Sequence, residues 1–172
     1  MRRLWPGPHY GDGMSLDTVR AYFAALGREG ELLVTPGSSH TVADAAAAFG
    51  VEPARIAKTL AYKGETDDSC ELIVLAGDAR SDNALFKSRF GRKASMLKPE
   101  VVLTLTGHPV GGVCPFANPP GATVWLDTSL QRFETVFPAA GSPDSAVELT
   151  LPDLERLSHA AGWVTVSKLP EN

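Results

Sequence analysis

The chain has 172 residues, of which 44% are hydrophobic and 21% are charged. These fractions are close to those of ordinary globular domains, so they exclude a disordered chain, a coiled coil and a fibre. The formal net charge of −4 argues against non-specific binding to duplex DNA, because that binding depends on many lysine and arginine contacts with phosphate. We expect a single domain with no specific affinity for DNA.

Cysteine content and hydropathy indicate the compartment. Cys70 and Cys114 are too few for a disulfide scaffold and too far apart for a metal-binding CxxC knuckle. No apolar segment follows the two arginines near the N-terminus, and no stretch approaches the ~20 apolar residues of a membrane span. We therefore expect a cytoplasmic protein that is neither secreted nor inserted in a membrane.

The N-terminal part of the chain predicts an extension followed by alternating helices and strands. Residues 1–13 are rich in glycine and proline without periodicity, so we interpret them as a flexible extension before a domain of residues 14–172. Apolar residues at helical spacing predict a first helix that starts with Ser15 as its N-cap and stops at Gly27. The next predicted elements are a strand over Leu32–Thr35, a Pro36-Gly37 turn and an alanine-rich helix over Val42–Phe49.

The central part predicts a β-hairpin and a helix. Two strand-like runs, Ala57–Tyr62 and Glu71–Ala76, are separated by a short polar loop. Ser81 is the predicted cap of a helix over Asp82–Phe90, which Gly91 ends.

The C-terminal part predicts two more helices among several strands. One helix starts near Pro99, and another starts at Thr150, where the sequence resembles a capping box. The predicted strands are Val110–Val113, Thr123–Leu126, Thr135–Phe137, Ala146–Leu149 and Trp163–Val166. Helices and strands are interleaved without strict βαβ regularity, which favours an α+β domain with a mixed sheet covered by helices over a doubly wound parallel sheet.

Two runs in this framework carry candidate site residues. Lys58 lies in the otherwise apolar run RIAKTLAY, where it is either a charge on an edge strand or a buried working group. Gly111 and Gly112 precede Pro115 in the run GGVCP. They either form a turn or bulge, or allow the backbone to approach a ligand closely with free N–H groups.

Four runs together resemble one family in their order and spacing. They resemble the YbaK/EbsC-type editing domains, which are free-standing or synthetase-inserted aminoacyl-tRNA deacylases associated with prolyl-tRNA synthetase. The resemblance covers residues 15–166 and is far more specific than any single motif. The runs are HTVADAAAAFGV (His40–Val51), RIAKTLAY (Arg55–Tyr62), LAGDARSD (Leu75–Asp82) and TGHPVGGVCPF (Thr106–Phe116).

The resemblance implies a fold, a reaction and roles for two residues. It implies a partly barrel-like sheet and hydrolysis of the ester that joins a wrong small amino acid, such as alanine or cysteine, to the 3′ end of tRNA for proline. Such a second sieve is needed because a missing methylene is worth only ~1–3 kcal/mol in the synthetic site. Lys58 is then expected to hold the terminal nucleotide and the ester, and Gly111 to present backbone N–H groups to the aminoacyl carbonyl.

The remaining candidates are expected to contact the substrate around these two residues. Thr41 and Thr59 flank the presumed pocket, although Thr41 is equally well explained as a helix N-cap. Asp78 and Arg80 either form a structural ion pair with each other or line a groove for the RNA end. The other members of this set are Gly112, Cys114 and Pro115 of the loop.

Covalent and metal-dependent chemistry have little support in the sequence. Cys114 lacks a setting that would lower its pKa, so a small buried hydrophobe is the better interpretation. His40, His108 and His159 show no metal-ligand spacing with one another or with the cysteines. We expect no metal and no cofactor.

The partners are expected to be the 3′ end of aminoacyl-tRNA and prolyl-tRNA synthetase, because an acidic chain needs help to select a tRNA. Two alternatives come from other classes: a non-catalytic module that binds a synthetase or RNA, and a hydrolase of small free esters or thioesters. Lys58 together with the full GGVCP loop disfavours the first. The run Gly141–Thr150 departs from the best-known relatives, so the deacylase class transfers better than the identity of the amino acid.

Overall fold

A computed structural model describes residues 12–35 and 41–171 of the chain. The predicted extension up to residue 11, the Pro36-Gly37 turn and His40 lie outside these ranges. The helices of the described part are α1 (Asp12–Ala25), α2 (Val42–Phe49), α3 (Asn83–Phe90), α4 (Pro99–Thr106) and α5 (Leu151–Leu157). The strands are β1 (Leu32–Val34), β2 (Ile56–Lys63), β3 (Cys70–Ala76), β4 (Arg80–Ser81), β5 (Ala122–Asp127), β6 (Thr135–Pro138), β7 (Ser145–Val147), β8 (Leu149–Thr150), β9 (Gly162–Val164) and β10 (Ser167–Lys168).

The centre of the fold is one mixed sheet with the strand order β8-β6-β2-β3-β5-β9. β2 and β3 form the predicted antiparallel hairpin, with Lys58 opposite Leu75. β5 runs parallel to β3 and β9 runs parallel to β5, whereas β6 runs parallel to β2 on the other side of the hairpin. The sheet curls into half a barrel, so the prediction of an α+β domain with a mixed, partly barrel-like sheet is confirmed.

Helices cover both faces of the sheet. Residues directly opposite each other on paired strands point to the same face, and alternate residues point to opposite faces. One face packs against α3, where the rings of Phe86 and Tyr62 are 4.8 Å apart between centroids. The main core also includes α1 and the chain after α4, where the rings of Phe23 and Phe116 meet edge to face at 5.2 Å.

Side-chain caps explain why three helices begin where they do. Thr41 accepts a hydrogen bond from the Asp44 amide at 3.0 Å, so its predicted role as the N-cap of α2 is confirmed. Thr150 caps α5 in the same way. The predicted Ser81 cap of α3 is wrong, because the Asp82 carboxylate accepts from the Leu85 amide at 2.8 Å and therefore occupies the N-cap position.

Other predicted boundaries also differ from the structure. α1 begins at Asp12, so Ser15 lies inside the helix rather than at its N-cap. The predicted strand Val110–Val113 is wrong, because this segment is a turn without a ladder partner. The predicted strand Ala146–Leu149 is divided between β7, which pairs with β1, and β8, which pairs with β6.

Candidate functional site

A cavity opens where β2 lacks a neighbouring strand. β6 pairs with β2 only at Ile56 and Ala57. Farther along β2, the segment of residues 95–97 takes over, with the Leu97 amide donating to the Ala61 carbonyl at 3.0 Å and the Lys63 amide donating to the Ser95 carbonyl at 2.8 Å. The edge of β2 over residues 58–60 is therefore left without a ladder partner, and it forms one wall of the cavity.

The cavity has a volume of about 420 Å³ and a mainly apolar lining. α2, the segment after α3, the start of α4, the glycine loop and the loop before β7 complete its walls around the open edge of β2. The lining side chains outside β2 are Thr41, Val42, Ala45, Phe49, Met96, Leu97, Pro99, Val102, Val110, Val113, Phe137, Ala139, Ser142, Pro143, Ser145 and Ala146. A pocket of this size accommodates a small organic group and excludes much of the surrounding water.

Lys58 supplies a cation at the wall of this cavity. Its half-buried ammonium group donates to the Ala79 carbonyl oxygen at 2.6 Å and to the Gly77 carbonyl oxygen at 3.3 Å. Both acceptors lie in the turn after β3, so the turn fixes the position of the charge. Burial lowers the pKa of Lys58, the nearby carboxylate of Asp78 opposes this effect, and the positive charge of Arg80 adds to it. No carboxylate of the described residues forms an ion pair with this ammonium group, so its charge is available to an anionic ligand.

Thr59 presents unpaired polar groups at the same wall. Its side-chain Oγ1 is buried and has no hydrogen-bond partner among the described residues. Successive residues of a strand direct their backbone groups to alternate edges, and Ala61 and Lys63 use the edge that faces the 95–97 segment. The N–H and C=O groups of Thr59 therefore face the gap in the ladder. A buried hydroxyl without a partner is costly, which indicates that a ligand or water satisfies it.

Gly111 lines the same cavity as Lys58 and Thr59. Its φ of 88° falls in the left-handed region that favours glycine. A side chain at this position would meet only Pro143, at 4.0 Å, so the space in front of the backbone is open. No described residue accepts a hydrogen bond from the Gly111 amide, so this N–H group is available to a ligand.

A buried histidine holds the glycine loop from beneath. The His108 Nε2–H group donates to the Phe116 carbonyl oxygen at 2.7 Å, and Nδ1 accepts from the Ser15 hydroxyl at 2.5 Å. His108 is fully buried, and burial lowers its pKa, so the ring is neutral at neutral pH. α1 is in this way tied to the loop that carries Gly111. Ser15 therefore has a hydrogen-bonding role within the fold even though it is not a helix cap.

The other predicted loop residues lie below the cavity rather than in its wall. Gly112, Cys114 and Pro115 are buried, and none of them lines the cavity. An added Cβ at Gly112 would lie 2.8 Å from the Gly141 carbonyl oxygen, so this glycine permits two loops to approach closely. Burial raises the pKa of the Cys114 thiol to about 12, as expected for a small buried hydrophobe rather than a nucleophile.

Asp78 and Arg80 lie near Lys58 but do not pair with each other. The Asp78 carboxylate accepts two hydrogen bonds from the Arg132 guanidinium, at 2.6 Å and 3.1 Å, and these lower its pKa. The sequence interpretation of an Asp78–Arg80 ion pair is therefore wrong, and the partner that it missed is Arg132. Arg80 is exposed on β4 beside β10.

The sequence reasoning also missed two walls of the cavity. Met96 and Leu97 lie in a short extended segment between α3 and α4 that has no strand periodicity. Ser142 and Pro143 lie in the loop between β6 and β7. The one sequence signal for the first of these walls was the apolar pair Met96-Leu97 shortly before the start of a helix.

Neither a metal site nor a membrane-spanning helix is found in the described ranges. No group of three or more His, Cys, Asp or Glu side chains there is arranged to hold a metal ion. In the same ranges, no helix has both the length and the hydropathy needed to cross a membrane.

Comparisons with known proteins identify the family of this chain. The family model for the aminoacyl-tRNA editing domain matches residues 37–157. A protein of Bacillus subtilis (strain 168) named "Uncharacterized protein YwhH" is 48% identical over 155 residues, which cover 90% of this chain and 98% of the relative.

Solved structures have the same fold. A crystal structure described as a "putative trans-editing enzyme for prolyl tRNA synthetase" is 28% identical, with a TM-score of 0.78 and coverage of 92% of this chain and 98% of the other. The crystal structure of "hypothetical protein APE2540" is 30% identical, with a TM-score of 0.76 and coverage of 88% and 99%. With a family model that spans most of its length and a relative at 48% identity, the chain belongs to the aminoacyl-tRNA editing domain family.

Proposed function

We propose that this protein is a trans-editing aminoacyl-tRNA deacylase that hydrolyses the ester of mischarged tRNA. Its substrate is tRNA for proline that carries a small wrong amino acid such as alanine or cysteine. The observation that carries the proposal is that Lys58, Thr59 and Gly111 line the same cavity. Family membership and the likeness to a structure described as a trans-editing enzyme support the same reaction.

The reaction needs an oriented water, a site for negative charge on the carbonyl oxygen and a grip on the terminal nucleotide. The Gly111 N–H group is a suitable donor to the carbonyl oxygen as it gains charge, because Gly111 lines the cavity and no described residue accepts a hydrogen bond from this group. The Lys58 ammonium is held in place by two carbonyl oxygens, so it is suited to bind the phosphate of the terminal nucleotide beside the ester. Water attacks the ester carbon, the bond to the ribose oxygen breaks, and the free amino acid and the 3′ hydroxyl leave.

Hydrolysis by this route needs no nucleophilic side chain. The Cys114 thiol lies outside the cavity lining, and its raised pKa keeps it protonated at neutral pH. The Thr59 hydroxyl faces the cavity without a partner, so it is available to position the attacking water or the amino group of the substrate. We assign Thr59 to substrate positioning, beside Lys58 and Gly111.

The cavity favours a small side chain of low polarity. We expect its volume of about 420 Å³ to be shared between the aminoacyl group and part of the terminal ribose. The hydroxyls of Ser142 and Ser145, which lie on its wall, already bond to each other at 2.8 Å. They therefore offer little to a polar side chain. Alanine and cysteine meet these conditions better than serine or threonine.

The proposal includes prolyl-tRNA synthetase as a partner and the cytoplasm as the site of action. The net charge of −4 limits affinity for tRNA at physiological salt, so a synthetase that holds the tRNA would supply contacts that this chain lacks. We expect added prolyl-tRNA synthetase to raise the rate of deacylation.

A panel of substrates tests the function. The wild-type protein, Lys58→Ala and the control Lys168→Ala are incubated with tRNA for proline charged with Ala, Cys, Ser or Thr, and with free ethyl esters of the same amino acids. Lys168 is exposed and pairs with Asp82 on the surface, so its loss removes one lysine without touching the cavity. We expect wild type and Lys168→Ala to deacylate Ala- or Cys-charged tRNA and Lys58→Ala to be inactive. Hydrolysis of free esters alone would identify a small-molecule esterase, and no hydrolysis of either substrate would favour a binding module.

A further inference from the structure

The basic residues of this chain are divided between two settings. In the described ranges, seven arginines and lysines form ion pairs with carboxylates, and the other seven form none. The unpaired set is confined to one part of the sequence between β2 and the start of α4. It consists of Lys58 and six exposed residues, Lys63, Arg80, Lys87, Arg89, Lys93 and Lys98, which we call the basic surface.

Local composition reinforces this division. Residues 80–98 contain six basic residues and one acidic residue, whereas the rest of the chain contains 10 basic and 19 acidic residues. A positive segment in an otherwise negative protein creates a local field that attracts anions to one side of the molecule.

The part of the basic surface on α3, Lys87 and Arg89, lies on the same face of the sheet as Lys58, whereas Lys63 alternates with Tyr62 on β2 and points to the other face. Lys58 and Tyr62 are two positions of β2 that point to one face, and α3 packs on that face through Phe86. The parallel register of β3 and β5 places Trp125 on the same face, opposite Ile73. Neighbouring strands are about 4.8 Å apart, so Trp125 is about 10 Å across the sheet from β2.

Arg89 is held in a fixed position on this face. Its guanidinium carbon lies 4.8 Å from the centroid of the Trp125 ring and 5.1 Å from that of Phe90. Stacking on two rings orders the side chain without neutralising its charge. An ordered arginine that lacks a carboxylate is suited to bind phosphate, which it contacts through its planar fork of donors.

Both ends of the basic segment lie next to residues that line the cavity. Arg80 lies close enough to Lys58 to affect its pKa, and at the other end Lys98 directly precedes Pro99, which lines the cavity. Between these ends, the Ser95 carbonyl accepts from the Lys63 amide, which brings Lys63 beside the same segment. The unpaired charges thus include Lys58 in the cavity wall and the exposed residues of α3 and its flanking segments.

From this arrangement we propose that the basic surface binds the phosphate backbone of the tRNA acceptor stem. The proposal rests on the proposed deacylase function, because an ester bound in the cavity is attached to a tRNA whose acceptor stem must extend from the cavity over the protein surface. The acceptor stem fits this surface because its phosphates are negatively charged along its whole length. Basic side chains that form no ion pair with a carboxylate are available to bind them. The acidic remainder of the chain repels the same stem, which restricts its direction of approach.

The test compares two double variants that remove the same charge. Lys87→Gln with Lys93→Gln changes the basic surface, and Arg20→Gln with Arg156→Gln changes two ion-paired arginines on α1 and α5. Binding of uncharged tRNA for proline is measured between 50 and 200 mM salt. Each lost phosphate contact lowers the slope of log K against log salt by about 0.7 to 0.9, and two lost contacts weaken binding about 25- to 60-fold at 100 mM salt. We expect this change for Lys87→Gln with Lys93→Gln and none for the control.

A second measurement separates this inference from the proposed function. Deacylation is measured on whole mischarged tRNA and on an aminoacylated oligonucleotide that has only the 3′-terminal single strand. The Lys87→Gln and Lys93→Gln double variant should lose activity on tRNA through KM and keep wild-type activity on the oligonucleotide. If wild type deacylates tRNA but the double variant matches the control in slope and affinity, the basic surface is not the stem site. The same holds if the substitutions weaken binding to prolyl-tRNA synthetase instead of tRNA. If tRNA binding shows the expected slope change but neither substrate is hydrolysed, the proposed function fails while the stem site stands.

Discussion

Replacing Lys58 by methionine tests the site with little change in shape, because methionine keeps most of the apolar stem and removes the charge. The lysine donates two hydrogen bonds, to the carbonyl oxygens of Ala79 and Gly77. Each is worth about 0.5–1.5 kcal/mol, so their loss alone would cost about 1–3 kcal/mol. Removing a half-buried charge recovers part of this cost, because burial already lowers the pKa of Lys58 and thus disfavours its charged form.

We expect a net loss of stability of about 1 kcal/mol, which corresponds to a decrease in Tm of about 2–4 °C for a chain of this length. The effect on rate should be much larger. Loss of one preorganised electrostatic contact in an active site lowers the rate about 10²- to 10³-fold, or about 2.7–4 kcal/mol in activation free energy. Rate and stability should therefore separate clearly.

The assay combines thermal unfolding with single-turnover deacylation of mischarged tRNA, with Lys168→Met as the matched control. Lys58→Arg is expected to fail like Lys58→Met, because a planar guanidinium does not replace a compact ammonium between two carbonyl oxygens. A Lys58→Met protein that keeps its fold and more than a third of the wild-type rate would refute the role of this charge.

Three further predictions follow from the loop beneath the cavity. Gly112→Ala should lower the free energy of unfolding by about 1–3 kcal/mol in urea titrations, because the new Cβ would lie 2.8 Å from the Gly141 carbonyl oxygen. Gly111→Ala, by contrast, should lower the deacylation rate more than the stability. Equal effects of the two glycine substitutions on rate would contradict the assignment of Gly111. Cys114→Ala should leave the rate within about twofold, because the thiol is buried outside the cavity, and a large loss of rate would revive covalent catalysis. Burial lowers the pKa of His108, so the native state binds fewer protons than the unfolded state at mildly acidic pH. The free energy of unfolding should therefore decrease as the pH falls below about 6.5. Equal urea midpoints at pH 7.5 and pH 5.5 would contradict a buried neutral ring.

Local patterns in the sequence predicted the elements that carry their own signals. The helix Val42–Phe49 has a threonine cap, an alanine-rich body and a terminal glycine, and its predicted bounds match α2. The β2–β3 hairpin is equally clear, because two apolar runs flank a polar loop. These signals depend on neighbouring residues and not on the rest of the fold.

Features set by distant contacts were harder to predict. Val110–Val113 has the residue types of a strand, but no strand lies beside it, and its glycines adopt a turn that packs against Gly141. The pairing of Asp78 with Arg132 spans 54 residues, so the sequence offered only the nearer Arg80 as a candidate partner, and that alternative was wrong. Lys58 and Gly111 were predicted as site residues because a linked set of motifs marks them, and both line the cavity. The cavity wall at Met96 and Leu97 carries no such motif.

Because of the gap in the ladder beside β2, the Thr59 backbone amide lies in a central strand but has no partner strand on its own side. In a paired inner strand, backbone amides exchange their hydrogens with solvent only when the sheet opens. The Thr59 amide faces the cavity, so it should exchange quickly while its neighbours on the β3 side remain protected. A bound aminoacyl group that accepts a hydrogen bond there would slow that one amide, so amide exchange at a single position would report occupancy of the cavity without any turnover of substrate.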